Sequence, residues 1–545
     1  MPESPLPLHI AFLRQARRRP FKLCMADAGR RMSYLKVLAG AMLLSRRIFL
    51  RPLTEGREEM VGIMLPASCP AALVNLAALF SGRTPVNLNW TAGQDNLDFY
   101  LKECRITQTI TSRRFLAKLK IEGRNGWDYL EDIVGKASPI DKIKYFVLAL
   151  FLPQRLLQRW FIRQPKDIHS LATVIFSSGS TARPKGVMLS HHNIAANIQS
   201  LTQAIFIGKK DVVMGVLPFF HSFGFMATLW LPLIRGAAVV YHHNPLDAPT
   251  VGGLVSAYKA TIILGTPTFF AAYIRKCSPE QFRSIRCAVA GAEKLKETTA
   301  RAFYEKFGIV LCEGYGATEL SPVACVNAPR EIICRGAEGR PAEGLSGYSL
   351  GKVGPPVPGV SVKVVDIEAV AGQDDDAGPA LPPGQEGVLL VKGPNVMLGY
   401  LNQPEKTRQV IKDGWYVTGD LAVIDDQGRV EIVGRLSRFS KIAGEMVPHI
   451  RIEEEIDKIL RREEPCCAVT SVDDEQRGER LVVLYVGDAD IDDLWQSLNQ
   501  SALPKLWIPR RDSFYQIPHM PLLGSGKLDL RKIKALAKGR KNIKK

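Results

Sequence analysis

The stretch Thr173-Val-Ile-Phe-Ser-Ser-Gly-Ser-Thr-Ala-Arg-Pro-Lys-Gly-Val-Met188 joins an apolar run to a loop of small hydroxyl residues, glycine and one lysine. The apolar run predicts a buried strand. The loop after it offers backbone N–H groups, hydroxyl donors and the cation of Lys185, which are the groups that a polyphosphate needs. It is not a Walker A loop, because Pro184 stands where that motif requires glycine. The stretch therefore predicts a phosphate site, with an ordinary Gly/Ser surface loop as the alternative.

The sequence on both sides of this stretch predicts an α/β fold. Short apolar runs alternate with amphipathic stretches over most of the first 430 residues, which indicates βαβ units and parallel sheet. Residues 335–387 are richer in Gly and Pro and predict short strands and turns. The pattern changes near Gly434-Arg435, and residues 453–462 then predict a helix and 481–486 a strand. The predicted strands before that point are 60–64, 108–111, 173–176, 212–216, 237–241, 261–264, 287–290, 309–311, 388–391 and 430–433.

The composition and the charge limit the function classes. The chain has 545 residues, of which 46% are hydrophobic, so wholesale disorder is excluded. The net charge of +18 favours an anionic partner such as nucleic acid, anionic lipid or an acidic protein. The excess is concentrated in residues 1–58 (+8), 113–166 (+7) and 531–545 (+8). No nucleic-acid-binding motif accompanies these patches, so each is either a solvated face or a contact for lipid or protein.

The sequence also predicts a cytoplasmic location. No segment reaches the ~18 consecutive apolar residues that a membrane span needs, and the first 22 residues do not have the pattern of a secretory signal. The ten cysteines show no C-x-x-C spacing, which indicates reduced and mostly buried thiols.

One segment, residues 140–163, is apolar, aromatic and basic at once and is interrupted by Pro153. It predicts two short helices. They could lie on an anionic bilayer surface. The alternative is a helical hairpin that simply packs on the domain.

Three further motifs carry chemistry. In Glu313-Gly-Tyr-Gly-Ala-Thr-Glu-Leu-Ser-Pro322, Tyr315 can stack on a base, Thr318 can donate to phosphate and Glu319 can hold Mg²⁺. Gly414-Trp-Tyr-Val-Thr-Gly-Asp-Leu421 ends in Asp420, a carboxylate suited to ribose hydroxyls. Pro521-Leu-Leu-Gly-Ser-Gly-Lys-Leu-Asp529 places Lys527 on a Gly/Ser turn near the C-terminus.

These motifs, in this order, resemble the adenylate-forming superfamily of acyl-CoA synthetases, peptide-synthetase adenylation domains and luciferases, from about residue 10 to 535. The resemblance implies a large N-terminal α/β domain with a β-rich subdomain, residues 1–434, and a small mobile C-terminal α+β domain, residues 435–545. It implies ATP and Mg²⁺ as cofactors. A carboxylate would attack the α-phosphate of ATP, and a thiol would then attack the acyl-adenylate.

The resemblance also assigns roles to residues. Lys527, Thr318, Glu319 and His221 would be catalytic, with Glu319 as the metal ligand and His221 in the gate-like segment Pro218-Phe-Phe-His-Ser-Phe-Gly224. Lys441 and Gly444 would serve the thiol step. The nucleotide would be held by Ser177, Ser178, Gly179, Ser180, Thr181, Lys185, Gly291, Ala292, Glu293, Tyr315, Gly316, Asp420 and Arg435.

Some positions depart from the family pattern: Ala182 in the phosphate loop, Arg438 at the hinge, and His449 and Arg451 after it. They put CoA in doubt as the thiol acceptor. Segments 217–224, 289–295, 440–447 and 520–527 resemble the synthetase half of bacterial 2-acylglycerophosphoethanolamine acyltransferase/acyl-ACP synthetases. That resemblance implies a fatty acid substrate, acyl carrier protein as acceptor, and work at the inner face of a bacterial membrane.

Other readings remain open. The acyltransferase half of such enzymes uses an H-x4-D pair, and His242 with Asp247 is the one match, without the surrounding domain. Any lysophospholipid acyltransferase would therefore be a separate protein. An ordinary long- or medium-chain acyl-CoA synthetase is the first alternative function. A catalytically dead lipid-binding scaffold at the membrane is the second.

Overall fold

The computed structural model describes residues 6–49, 59–162, 167–177, 183–329, 348–371, 376–442, 445–460, 466–474, 478–522 and 528–541. Four sheets belong to the part before residue 436 and one to the part after it. This arrangement confirms the α/β class with a β-rich subdomain and a smaller C-terminal α+β unit.

The central sheet has eight strands, and its inner strands run parallel. Ile262–Gly265 and Cys287–Gly291 are buried along their whole length, because both faces of such a sheet are covered. The carboxyl ends of Cys287–Gly291 and Leu311–Gly316 carry predicted site residues. In spatial order the strands are Val323–Asn327, Leu311–Gly316, Cys287–Gly291, Ile262–Gly265, Val212–Gly215, Ala238–Tyr241, Leu23–Asp27 and Arg30–Ser33.

Three smaller sheets complete the large part. A parallel sheet contains Thr84–Asn87, Met60–Ile63, Thr109–Thr111 and Trp127–Tyr129. A three-stranded sheet contains Gly399–Tyr400, Lys185–Ser190 and Leu171–Ser177. The β-rich subdomain contains Ser361–Val365, Glu386–Lys392, Trp415–Ile424, Ile411–Lys412 and Val430–Arg435.

Several helices of the large part begin at a Ser, Thr or Asp residue whose side chain accepts a backbone N–H of the first turn. Ser190 caps His191–Ala204 by accepting the Asn193 N–H at 3.0 Å, a capping box that stabilises the first turn. The other α-helices of seven or more residues described here are Leu8–Arg18, Tyr34–Ile48, Cys69–Phe80, Gln94–Glu103, Arg113–Leu119, Pro139–Phe151, Gln154–Phe161, Ala248–Tyr258, Pro267–Lys276, Glu297–Phe307 and Pro404–Val410.

The small domain is a five-stranded sheet with three helices. Its strands are Glu445–Pro448, Phe439–Ile442, Gly478–Tyr485, Cys467–Asp474 and Phe514–Gln516, and its helices are His449–Ile459, Ile491–Gln500 and Leu530–Lys541. It has its own apolar cores, one of which includes Ile452, Val483 and Leu498.

Two elements differ most from the sequence prediction, whereas the other predicted strands are shifted at their ends by one to three residues. The strand predicted at 309–311 runs instead over Leu311–Gly316, so Tyr315 and Gly316 belong to a strand rather than to a loop after it. This stretch forms a strand because it is hydrogen-bonded to Cys287–Gly291 on one side and to Val323–Asn327 on the other, and these pairings are not visible in its own apolar pattern. The helix predicted at 453–462 begins at His449, directly after Pro448 at its N-cap, and ends at Ile459.

The predicted hairpin is present as Pro139–Phe151 and Gln154–Phe161, divided at Pro153. The nine cysteines in the described part of the chain are all free and buried, as expected, while Cys334 lies outside it. Among the described helices, none combines the length and apolarity that crossing a bilayer would take.

Candidate active site

The phosphate loop is held at both ends by a pair of antiparallel strands. Ser177 ends the strand Leu171–Ser177 and is paired with Lys185, the first residue of Lys185–Ser190. The predicted contacts Ser178, Gly179, Ser180 and Thr181, together with Ala182, lie outside the described residues. The strand pair therefore fixes where the loop begins and ends, and it places Lys185 at the mouth of that loop.

Tyr400 links Lys185 to Glu319. The Nζ atom of Lys185 lies 4.7 Å from the centre of the Tyr400 ring, a cation–π distance. The Tyr400 hydroxyl donates to Glu319 Oε1 at 2.9 Å. Both Tyr400 and Glu319 are buried. Burial is the larger cause that raises the pKa of the Tyr400 hydroxyl, and the charge of Glu319 is the second cause. Tyr400 was not predicted from the sequence, because its pairing with Val187 on a neighbouring strand is a long-range contact that no local motif reveals.

We expect Tyr400→Phe to weaken Mg²⁺ binding at Glu319 while leaving the stability of the fold nearly unchanged. The change removes the hydroxyl that orients Glu319 but keeps the ring under Lys185, so the Mg²⁺ concentration for half-maximal ATP–pyrophosphate exchange should rise about tenfold. Titration of Mg²⁺ at saturating ATP measures it. Tyr304→Phe, at an exposed tyrosine, is the matched control. An unchanged Mg²⁺ titration in Tyr400→Phe would show that the hydroxyl does not position Glu319.

Thr318 and His221 are brought to the same region. The Ser222 hydroxyl donates to Thr318 Oγ1 at 3.3 Å. Because Thr318 accepts this bond, its own hydroxyl hydrogen can point to a ligand. His221 directly precedes Ser222, and its ring lies 4.7 Å from that of Phe220. The gate-like segment and the Thr318–Leu320 turn thus meet through Ser222, a residue to which the sequence alone assigned no role.

Asp420 joins Tyr315 and Arg435. The Tyr315 hydroxyl donates to Asp420 Oδ2 at 2.5 Å, and Arg435 Nε donates to Asp420 Oδ1. Asp420 and Arg435 are directly opposite each other on paired strands, which brings the two charges together. Asp420 is buried, and its charge raises the pKa of the Arg435 guanidinium. Asp420 is therefore a buried hydrogen-bond acceptor suited to a sugar hydroxyl pair.

The predicted nucleotide contacts Gly291, Ala292 and Glu293, which we name the adenine shelf, lie at the end of the strand Cys287–Gly291 and directly after it. Ala292 has a φ of +71°, and Glu293 Oε2 accepts from the Thr268 hydroxyl at 2.8 Å. Gly316 lies on the neighbouring strand, where a Cβ would meet the Pro322 carbonyl oxygen at 1.8 Å, so only glycine fits. Glu313 at the start of this motif accepts the Leu295 N–H at 3.2 Å, and burial raises its pKa to about 7.

The small domain contacts this shelf through two ion pairs. Lys294 pairs with Glu454, and Lys296 pairs with Asp457 at 3.3 Å. Both acids lie on the helix His449–Ile459, whereas the lysines are one and three residues after Glu293. The predicted shelf and the small domain are therefore linked in this structure.

The residues predicted to act from the small domain are only partly described. Lys527 and Gly444 lie outside the described residues. An antiparallel bridge joins Leu522 to Leu528, the described residues on either side of the segment that contains Lys527. Lys441 lies on the strand Phe439–Ile442 and is paired with Met446 on the strand Glu445–Pro448. Their roles remain predictions.

Two of the positions that depart from the family pattern, Arg438 and His449, have structural explanations in the small domain. Arg438 pairs with Glu453, and both are mostly buried. Glu453 also accepts the Val469 N–H at 2.5 Å. His449 Nε2 lies 2.6 Å from Ser440 Oγ, and burial lowers the pKa of His449 to about 3, so the ring is neutral. These two departures therefore stabilise the domain internally, whereas Arg451 is exposed.

His242 and Asp247 do form a pair, with Nε2 and Oδ2 3.2 Å apart. Asp247 also caps the helix Ala248–Tyr258 by accepting the Thr250 N–H at 3.4 Å. This cap accounts for the aspartate without an acyltransferase role.

Comparison with known proteins identifies the family. The model of the AMP-binding enzyme family matches residues 12–401. A long-chain-fatty-acid–CoA ligase of Bacillus subtilis is 26% identical over 97% of this chain and 95% of its own length. A long-chain-fatty-acid–CoA ligase of Escherichia coli is 33% identical, but the match spans 53% of this chain and about half, 48%, of that enzyme. A medium-chain fatty-acid–CoA ligase of Escherichia coli is 28% identical over 86% of the chain.

Solved structures agree on the fold. ATP-bound MatB from Rhodopseudomonas palustris superposes with a TM-score of 0.78 at 25% identity and covers 99% of this chain and all of its own. MenE from Bacillus subtilis with an acyl-adenylate superposes with a TM-score of 0.79 over 98% of this chain and 99% of its own, at 20% identity, which shows the fold alone.

Glu319 fits a magnesium ligand, because it is a buried carboxylate oriented by a tyrosine next to a lysine-bearing phosphate loop. Bound there, the ion would neutralise phosphate charge. The buried acceptor at Asp420 and the strand-held loop fit the ribose and phosphates of a nucleotide. The chain is thus a member of the AMP-binding enzyme family, whose cofactors are ATP and Mg²⁺.

Proposed function

We propose that the chain activates a fatty acid with ATP and transfers the acyl group to the phosphopantetheine thiol of acyl carrier protein. In the first step a carboxylate oxygen attacks the α-phosphorus, forming acyl-adenylate and releasing pyrophosphate. In the second the thiolate sulfur attacks the acyl carbon and releases AMP. The observation that carries the adenylation step is the connected set Lys185–Tyr400–Glu319 beside Asp420–Arg435.

The described residues divide the work of adenylation. Lys185 and Thr318 supply a cation and a hydroxyl for phosphate oxygens, which is the positioning that such transfers mainly need. Asp420 would accept the ribose hydroxyls, with Arg435 beside it. Glu319 would hold Mg²⁺. Lys527 would bridge the carboxylate and the α-phosphate. A dead lipid-binding scaffold has no reason to keep this set together.

The carrier acceptor is supported by charge on the small domain. The described part of the C-terminal helix Leu530–Lys541 exposes Lys532, Lys534 and Lys538, and Arg451 is exposed on another helix. Acidic carrier proteins would be attracted to such a surface, which raises association rates more than affinity. The sequence segments that resemble acyl-ACP synthetases are the second support.

CoA is the competing acceptor. The similar curated proteins include long- and medium-chain fatty-acid–CoA ligases, and this favours a CoA ligase as the second candidate function. Fatty acid activation is common to both candidates.

The test compares thioester formation with holo-carrier protein and with CoA, and uses apo-carrier protein as the control that lacks the thiol. We expect kcat/KM for the holo-carrier to exceed that for CoA. The double variant Lys532→Glu/Lys538→Glu should lower kcat/KM for the carrier about tenfold, whereas Lys276→Glu/Lys406→Glu, at other exposed lysines, should not. Efficient CoA use without carrier loading would establish the second candidate. No fatty-acid-dependent ATP–pyrophosphate exchange at all would favour the scaffold.

We also propose that the enzyme works in the bacterial cytoplasm at the inner face of the membrane, where a separate lysophospholipid acyltransferase would use its product. The net charge of +18 and the basic patches support an anionic surface as partner. Nucleic acid is not a proposed partner.

A further inference from the structure

The hairpin Pro139–Phe151 and Gln154–Phe161 exposes an unusual number of large apolar side chains. On the first helix, Ile140 and Phe151 are 76% and 73% exposed, with Ile143 and Val147 between them at 64% and 45%. Their spacing of three or four residues places them along one stripe. Leu156 and Trp160 extend the exposed surface on the second helix. We name these six side chains the outer stripe.

The opposite side of the hairpin is anchored to the large domain. Ala149, Leu157 and Phe161 are buried in its main core. The guanidinium of Arg17 donates to the carbonyl oxygens of Ala149 and Leu150 at 2.9 and 2.7 Å. The inner side of the hairpin thus packs against the large domain and holds the hairpin in place, whereas the outer stripe faces solvent.

Basic residues accompany the outer stripe. Lys142, Lys144, Arg155 and Arg159 are exposed on the two helices. The one acidic residue of the hairpin, Asp141, pairs with Arg47 and accepts the N–H of Ser138 at 3.2 Å. The surface is therefore apolar, with four exposed cations and a single acidic side chain that is already paired with Arg47.

We propose that the outer stripe and its basic residues dock the enzyme on an anionic lipid bilayer, with the apolar side chains inserted at the headgroup boundary. Amphipathic helices of this composition lie in that interface. An acidic protein would satisfy the lysines and arginines but leave Ile140 and Phe151 in water, whereas a bilayer satisfies both. Trp160, with an apolar ring and a polar N–H, suits the interfacial depth.

The inference rests on the proposed membrane location and not on the identity of the thiol acceptor. Its consequence concerns the substrate: fatty acids partition into bilayers, so docking raises the substrate concentration near the enzyme. The test is made without ATP, fatty acid or carrier, so failure of the proposed acceptor would leave its result unchanged.

The full-length protein is mixed with vesicles of phosphatidylcholine alone or with phosphatidylglycerol, and the bound fraction is measured by flotation. Wild type should bind the anionic vesicles, and Ile143→Ser/Phe151→Ser should bind at least about tenfold more weakly. Phe206→Ser/Leu246→Ser removes two side chains that are 53% and 51% exposed elsewhere, and should bind as wild type. Circular dichroism and ATP–pyrophosphate exchange verify that the variants fold.

Charge and depth are tested separately. Arg155→Glu/Arg159→Glu should lower anionic-vesicle affinity about tenfold or more, and salt should do the same. Lys532→Glu/Lys538→Glu, on the C-terminal helix, should have a smaller effect. Brominated lipids should quench tryptophan fluorescence in wild type, and Trp160→Phe should lose most of that quenching while it still binds.

Three results would overturn the proposal. One is equal binding by wild type and Ile143→Ser/Phe151→Ser. Another is loss of binding only in the C-terminal-helix variant. The third is self-association of the wild type that Ile143→Ser/Phe151→Ser abolishes while vesicle binding persists, since it would identify a second copy of the chain as the occupant.

Discussion

Glu319→Gln should lower fatty-acid-dependent ATP–pyrophosphate exchange by a factor on the order of 10²–10³. The amide keeps the shape of the side chain and can still accept from Tyr400, so the local hydrogen bond survives. What it loses is the negative charge that would hold Mg²⁺ next to the phosphates. Higher Mg²⁺ concentrations should restore only part of the rate.

Glu297→Gln is the matched control, because Glu297 is an exposed acid whose described contact is an ion pair with Arg301 on the same helix. Thermal unfolding should be similar for both variants. Exchange at the wild-type rate in Glu319→Gln would remove Glu319 from the proposed metal site, whatever the Tyr400→Phe variant shows.

Linking residues 294 and 454 should separate the two half-reactions. Lys294 and Glu454 are in contact across the two domains. If both are replaced by cysteine and joined by a short bismaleimide, the small domain should be held where it is. ATP–pyrophosphate exchange should continue, whereas thioester formation should fall by ~10²-fold or more, because in the proposed mechanism the small domain must present another face for the second step.

The native cysteines are not expected to compete for the bismaleimide. The nine described cysteines are buried, and a Cys334→Ser background removes the tenth. Lys294→Cys and Glu454→Cys alone, treated with the same reagent, control for the loss of each charge. If the linked protein forms thioester at the rate of the single variants, rotation of the small domain is unnecessary for the second step.

The sequence predicted the fold well where one element carries its own signal. Buried parallel strands such as 262–265 are short apolar runs, and Pro153 divides the hairpin helices as expected. The class of the small domain also followed from its pattern. The strand at Leu311–Gly316 was misplaced because Glu313, Gly314 and Gly316 are of residue types depleted in strands, and its formation depends on pairing with distant neighbours.

The candidate site was predicted as a set of motifs but not as a set of contacts. Asp420 and Arg435 were both named, yet only strand pairing brings them opposite each other. Tyr400 was missed because its partners, Lys185 and Glu319, are far away along the chain. His449 and Arg438 put CoA in doubt as the acceptor, which stays a prediction; the contacts by which they stabilise the small domain from within could not be predicted from the sequence.

The two arginines around the domain boundary limit where the chain can twist. Arg435 is fastened to the large domain through Asp420, and Arg438 is fastened to the small domain through Glu453. Any rotation between the domains would fall on the backbone torsions of Leu436 and Ser437, a pivot two residues long. Because Asp420 is also the proposed ribose acceptor, release of the nucleotide would change the contacts that hold Arg435 at one end of that pivot. Nucleotide release and rotation of the small domain would then be coupled.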